Sequence, residues 1–303
     1  IPSHTRPIIG QNKVSETLTV YRDAIQYIHD QTVRYMNKGL TVDEIVPKIT
    51  LPPHLKQHQY LQEFYGTVNW SVRSIFSGYM GWFDGNSTNL RPFEPKLLNK
   101  KYAELAGGVG NLWQELNNAF SSGEHQWVLM LSDMLKYSEF EQQAQVVKAK
   151  SLRKLAEKEA NPNARHYYFT QAMELENDDF SPAIFPKPEP EFVKQLPIDN
   201  IFRSMPAFLK AEETLGITLS VEFYLSDIDK TYMIQIRNGI AEVQDYSFAE
   251  ADVKIATTAQ VWKEIATKIT NPMAAIMSNE LSITTGKLKF IKFLSYFDLP
   301  NYD

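Results

Sequence analysis

The sequence predicts a mix of α and α/β structure, with a helical first part followed by a small α+β domain. Three observations carry this expectation. Apolar residues recur every three to five positions from about residue 18 to 176, the spacing of a buried helix face. The stretch SPAIFPKPEPE at 181–191 is rich in proline and short of large apolar residues, as linkers are. Beyond it the period falls to two, in runs rich in β-branched and aromatic residues, with Asn238-Gly239 between two of them.

The elements follow in order. IPSHTRPIIG reads as a loop closed by Gly10. Leu18, Tyr21, Ile25, Ile28, Val33 and Met36 then predict one face of a helix, with Gly39 as its C-cap. Thr41 and Glu44 make a capping box for a short helix that Pro47 stops. After LPPHL, the series Leu61, Phe64, Tyr65, Val68, Val72, Ile75, Phe76 predicts a long helix ended by Gly78 and Gly81. Lys96 to about Glu176 reads as stacked helix pairs. The positions around Gly123 are similar to a tetratricopeptide unit, without a clean repeat. In the second part, ITLSVEFYL, TYMIQIRNGIAEVQ and ADVKIAT predict strands. Thr258 caps AQVWKEIATKI, PMAAIMSNE is a short helix, and LSITTGKLKFIKFLSYF is a strand, a turn at Gly286 and a last helix. The expected arrangement is an antiparallel sheet with helices on one side.

Composition narrows the function. A net charge of −5 favours neither nucleic acid nor an anionic membrane surface, and no apolar run has the length of a membrane span, so stable insertion is not expected. With no cysteine there is no disulfide, thiolate metal site or cysteine nucleophile. That absence suits cytoplasm and periplasm alike, so the compartment stays open. The sequence starts at Ile1 without an initiator Met or signal peptide, as expected either for a chain whose true N-terminus has been removed or for the tail of a longer polypeptide.

Few side chains stand in a chemical pattern. His54 and His58 are four apart but lack a third ligand at metal-binding spacing, so a solvated face is expected. His29 lies beside the apolar face of its helix and reads as packed. His125 and His166 have no informative context. No phosphate loop, dinucleotide motif or nucleophile elbow is present. The stretch SVRSIFSGYMGWFDGNSTNL raises a sharper possibility. Arg73 is the sole charge between Phe64 and Trp82, and Asn69 lies one helical turn before it. This is either a buried ion pair among core aromatics or an anion pocket for a sulfate or phosphate. Tyr79 joins such a pocket if the helix breaks at Gly78. Asn86, Thr88 and Asn89 add neutral donors.

GYMGWFDGNSTNL, LQEFYGTVNWSVRSIF, AELAGG and YYFTQAMEL together resemble the zinc-dependent alkylsulfatases of the metallo-β-lactamase superfamily, over nearly the whole chain. The resemblance implies four segments: 1–12 as the tail of the lactamase-like catalytic domain, 13–180 as a helical dimerisation domain, 181–191 as linker, and 192–303 as a sterol-carrier-like α+β domain. It implies hydrolysis of alkyl sulfate esters to alcohol and sulfate by two zinc ions, and a homodimer. It makes His4 a zinc ligand and puts Arg73 and Tyr79 on the substrate sulfate; Asn69 and Asn86 join them as candidate sulfate-binding residues from the anion-pocket reading of the stretch. Two departures stand out. Ser87 replaces the proline that usually follows the Asn. The His-x-His-x-Asp-His run that holds the zincs is absent, so the site in this chain is incomplete. The chain alone is therefore expected to be inactive, with no catalytic residue beyond metal ligation, and to need an N-terminal catalytic segment. The alternative is a non-catalytic dimeric module that holds a lipid or fatty chain along WKEIATKITNPMAAIMSNELSI.

Overall fold

A computed structural model describes residues 7–177 and 188–298. His4 and residues 181–187 of the proline-rich stretch lie outside the described residues. The chain divides into two compact units between residues 180 and 181.

In the first unit, α1 (Gln11–Met36) follows Gly10 and packs against α2 (Val42–Ile45) and α4 (Val68–Met80). The helix is where the periodicity predicts it, but the packed face is different. Its buried residues are the small ones, Thr17, Ala24 and Thr32, while Leu18, Tyr21 and Ile25 face outward. Small side chains let helix axes approach closely, so α1 turns its smaller stripe inward. The core it joins is made by Ile45, Ile49, Val72 and Phe76, with Ile28, Tyr35 and Met36 against it.

A short helix, α3 (Pro53–Lys56), ends before His58, so His54 and His58 do not share a helix. The long helix expected from Leu61 starts only at Val68. Its N-terminus is set locally: the Thr67 hydroxyl accepts from the Trp70 amide at 3.0 Å, and the Glu63 carboxylate accepts from the Val68 amide at 2.6 Å. Residues 59–66 are irregular instead, tied to a later part of the unit by Asn161, whose side-chain amide donates to the Glu63 carbonyl at 2.8 Å. At its other end α4 runs through Gly78 without a break and stops at Gly81, which takes φ 69°.

From Pro95 the stacked pairs appear as expected. They are α5 (Pro95–Leu105), α6 (Val109–Ser122), α7 (His125–Met134), α8 (Glu141–Lys158) and α9 (Pro162–Glu176), with α6 packed on α7, α7 on α8 and α8 on α9. The α6–α7 turn uses Gly123 in the left-handed region at φ 80°. Leu116, Val128, Leu131 and Leu135 centre the core. Trp113 stacks on Phe140 at 5.4 Å.

The second unit opens with two helices, α10 (Pro190–Gln195) and α11 (Ile198–Ser204), so the last residues of the expected linker are already helical. Strands β1 (Thr218–Leu225), β2 (Lys230–Arg237), β3 (Ile240–Gln244) and β4 (Val253–Thr257) follow. Then come α12 (Ala259–Ala266), α13 (Pro272–Met277), β5 (Leu281–Thr285) and α14 (Lys287–Ser295). Asn238 and Gly239 both have positive φ, 46° and 85°, as a two-residue hairpin turn demands.

The sheet order is β3-β2-β1-β4-β5 and the sheet is mixed, because β1 and β4 run parallel. This corrects the expected antiparallel sheet. With β3 on the far side of β2, the open edge left for β4 is that of β1, and residues 245–252 bring β4 in along the direction of β1. Leu219, Val221 and Phe223 pair with Ile236, Ile234 and Tyr232 on the inner face. That face shares a single core with Phe202 of α11, Trp262 of α12 and Phe290 and Phe293 of α14, so the helices cover one side. Trp262, Ile265 and Ala275 fill this core, while Met273 and Met277 face solvent.

Gly286 closes β5 onto α14 at φ 78°, and a Cβ there would lie 2.5 Å from the Asp252 carbonyl oxygen and 3.0 Å from Val253 Cγ2. The obstacle is backbone and cannot rotate away. Gly286→Ala is expected to destabilise the second unit by roughly 2 kcal/mol or more, through left-handed strain plus the clash. Urea unfolding of the variant, followed by circular dichroism, checks this; an unchanged midpoint would contradict it.

Candidate functional site

The residues singled out in the sequence divide between two places on α4. Asn69 and Arg73 are one turn apart and exposed, on the flank of the helix beside the buried Val72 and Phe76. The Arg73 Nε–H donates to Asn69 Oδ1 at 3.0 Å. Nη1 reaches Asp43 Oδ1 at 2.8 Å. The capping box beneath Asp43 is formed as expected: Glu44 Oε2 accepts from the Thr41 amide at 2.8 Å and from its hydroxyl at 2.9 Å. Those hydrogen bonds hold the Glu44 carboxyl below the usual carboxylate range. The result is a guanidinium whose plane is fixed from two sides. The pair is not buried: the Arg73 and Asp43 side chains are 47% and 76% exposed.

Tyr79 is not part of this group. On an unbroken helix six residues rotate a side chain about 600°, which leaves Tyr79 about 120° away from Arg73. Its hydroxyl meets His29 Nε2 at 2.8 Å, and His29 Nδ1 meets Asp30 Oδ1 at 3.0 Å. His29 is therefore a surface hydrogen-bonding residue on α1 rather than a packed one, 42% exposed. Neither Asp43 nor His29 was marked by the sequence as a partner of this stretch. The signals available were the acid inside the capping box and the His29-Asp30 pair.

Asn86 stands in the loop after α4. Asp84 accepts from the Asn86 amide at 2.8 Å and from the Asn89 side chain, and these bonds hold its carboxyl below the usual Asp range. Asn86 Oδ1 caps the following 3-10 turn by accepting from the Thr88 amide at 3.1 Å. Gly85, at φ 89°, lies beside Thr41 and Phe76, with a Cβ position 3.6 and 3.7 Å from their side chains. The loop thus folds against the start of α2, two residues from Asp43. Arg73, through Asp43, and the Asn86 loop, through Gly85 beside Thr41, both meet the start of α2, while Asn69 holds Arg73 from its own helix. Trp82, beside the loop, is 79% exposed.

The other described histidines do less. His58 Nδ1 accepts from the Tyr60 amide at 3.4 Å. His125 lies edge-on to Phe120 and reaches Ser151 Oγ at 3.3 Å, and burial, then nearby Lys158 and Lys154, push it below the ordinary His value. Among the described residues no three His, Asp or Glu side chains come together as a metal site, and no helix is long and apolar enough to cross a membrane.

Two family descriptions match the chain: alkyl sulfatase dimerisation over residues 41–178 and alkyl sulfatase C-terminal over 187–303. A linear primary-alkylsulfatase of Pseudomonas sp. is 32% identical over 311 residues, covering 99% of this chain and 59% of that protein. An alkyl/aryl-sulfatase of Saccharomyces cerevisiae is 25% identical over 300 residues, covering 98% of this chain and 46% of that protein. The solved structure of a stereoselective inverting sec-alkylsulfatase from Pseudomonas sp. superposes with a TM-score of 0.84 at 25% identity, over 99% of this chain and 48% of the other. The chain spans about half the length of the curated relatives it matches.

Proposed function

The chain belongs to the alkyl sulfatase family by its dimerisation and C-terminal domains, and from that premise we propose that it is the C-terminal part of an enzyme hydrolysing alkyl sulfate esters to alcohol and sulfate. The observation that carries the reading is the paired family match, supported by 32% identity to a linear primary-alkylsulfatase along essentially the whole chain. On this reading residues 1–12 end a metallo-β-lactamase-like catalytic domain, 13–180 are the helical domain that carries the dimer contact of a homodimer, 181–191 link, and 192–303 form a sterol-carrier-like accessory domain.

Zinc does not fit this chain by itself. Among the described residues no group of His, Asp and Glu could hold a metal ion, and a lone His4, outside them, would supply one ligand where two zincs need several each. The remaining ligands would come from a preceding segment.

This chain's own contribution is to the sulfate. An alkyl sulfate is an anion, and breaking the ester builds further negative charge on the departing oxygen. Arg73, oriented by Asn69 and Asp43, offers its remaining N–H donors to sulfate oxygens. An exposed ion pair is worth little, so Asp43 orients the guanidinium without competing strongly for it. The Asn86 loop meets the start of the same short helix. Tyr79 would act from the His29 side, apart from Arg73.

The fatty-chain carrier reading gains no support from the second unit, where Trp262, Ile265 and Ala275 are packed core. The decisive test joins this chain to the polypeptide encoded before Ile1 and supplies zinc. The joined protein is expected to release sulfate from dodecyl sulfate or octan-2-yl sulfate, and this chain alone is not. A folded, zinc-loaded joined protein inactive on both would refute the assignment.

A further inference from the structure

The outward stripe of α1 calls for a partner. Val14, Leu18, Tyr21 and Ile25 are spaced four, three and four, so they form one helix face. Leu18 and Ile25 are 65% and 66% exposed. Across from them stands Phe64, 53% exposed, in the irregular stretch before α4. Together they wall a groove of about 970 Å³ whose lining is mainly apolar, with Ala24, Ile28 and Leu51 in its floor and Ile8 at one side. A contiguous apolar surface of this kind marks a place where something docks.

Three observations identify the occupant. The chain accounts for about half the length of its relatives. The second matched family is described as the C-terminal part of alkyl sulfatases, which places the unmatched remainder of those relatives ahead of it. The groove is lined from Ile8 onward, beside the earliest described residues, and α1 lies entirely before residue 41, where the dimerisation match begins. A second copy of the chain is therefore a poorer fit than what comes before it. We propose that this groove seats an apolar face of the polypeptide that precedes Ile1 in the complete protein, joining the preceding domain to α1 independently of the dimer contact. The proposal rests on the chain being the C-terminal part of a longer alkylsulfatase. The polar members of the lining, Gln59 and Gln62 among them, suit an apolar-centred, polar-edged interface.

The test uses the polypeptide encoded immediately before Ile1, made separately, and titrates it into this chain by calorimetry. A complex is expected. The double variant Leu18→Glu, Ile25→Glu is expected to weaken it about 100-fold or more while leaving circular dichroism and the unfolding midpoint of this chain unchanged, since both side chains are already in water. Leu288→Glu, an exposed leucine of the second unit, is expected to leave the affinity as it was. Failure of the unmodified chain to bind, or binding that survives the double substitution, overturns the proposal. So does a double variant that turns a dimer into a monomer at sedimentation equilibrium, since that places a second copy in the groove. A complex that forms and is broken by the substitution, yet releases no sulfate, upholds this interface and removes only the activity reading.

Discussion

Replacing Trp262 by alanine is expected to cost the second unit about 3–5 kcal/mol, the range for emptying a large buried aromatic site. Trp262 is 1% exposed and centres the aromatic cluster of that core. Its ring lies 4.5 Å from Phe223 and 6.0 Å from Phe202, which itself stacks on Tyr232 at 4.0 Å. A shift of roughly 10 °C or more in the melting of that unit should follow, and scanning calorimetry of the intact chain would show it as one transition moving while the other stays. The indole adds a second, opposite contribution. Its Nε1–H is buried without a hydrogen-bond partner, and an orphaned donor costs about 1–3 kcal/mol. Trp262→Phe keeps most of the ring volume and deletes that donor, so the lost packing and the relieved N–H should largely cancel, for a net change within about 1.5 kcal/mol. If Trp262→Phe proved as damaging as Trp262→Ala, the indole N–H would have to be satisfied by a buried water, and the orphan reading would fail.

The contrast between what the sequence revealed and what it hid has a common physical origin. Local signals were readable. Asn238-Gly239 announced a turn because few other residue pairs take two positive φ angles in a row. Thr41 and Glu44 announced a helix start, and Asn69 with Arg73 announced a shared face, because partners three or four residues apart are fixed by the helix itself. What failed depended on distant partners. Periodicity located α1 but chose its larger stripe as the buried one, whereas the fold buries Thr17, Ala24 and Thr32, with Ala24 against Leu51 and Leu55. Phe64 and Tyr65 extended a helical pattern that the Glu63 and Thr67 caps cut off at Val68. The parallel pairing of β1 with β4 depends on where residues 245–252 carry the chain, which no strand pattern records. Asp43 meets Arg73 across thirty residues, so the ion pair that orients the candidate site could be seen only once the fold was known.

Arg73→Ala, made in the protein completed by its preceding segment, is expected to lower kcat/KM for alkyl sulfate by about 10²–10³, the loss typical of one charge-stabilising donor. The effect should be catalytic rather than structural. An exposed ion pair contributes at most about 1 kcal/mol to stability, and Arg73 and Asp43 are both largely in water, so the unfolding midpoint should hardly move. Arg73→Lys separates charge from geometry. An ammonium restores the positive charge but has no planar fork and no Nε–H for Asn69 to orient, so only part of the lost rate should return. Asp43→Asn probes the other side of the guanidinium. It removes a negative neighbour, which should tighten sulfate binding at low salt, and that gain should fade as ionic strength rises and screens the site. The pattern is internally constrained: loss with Ala, partial recovery with Lys, and a salt-sensitive fall in KM with Asn. Unchanged kcat/KM in Arg73→Ala would show that the sulfate is held elsewhere and that Arg73 serves only to tie α4 to α2.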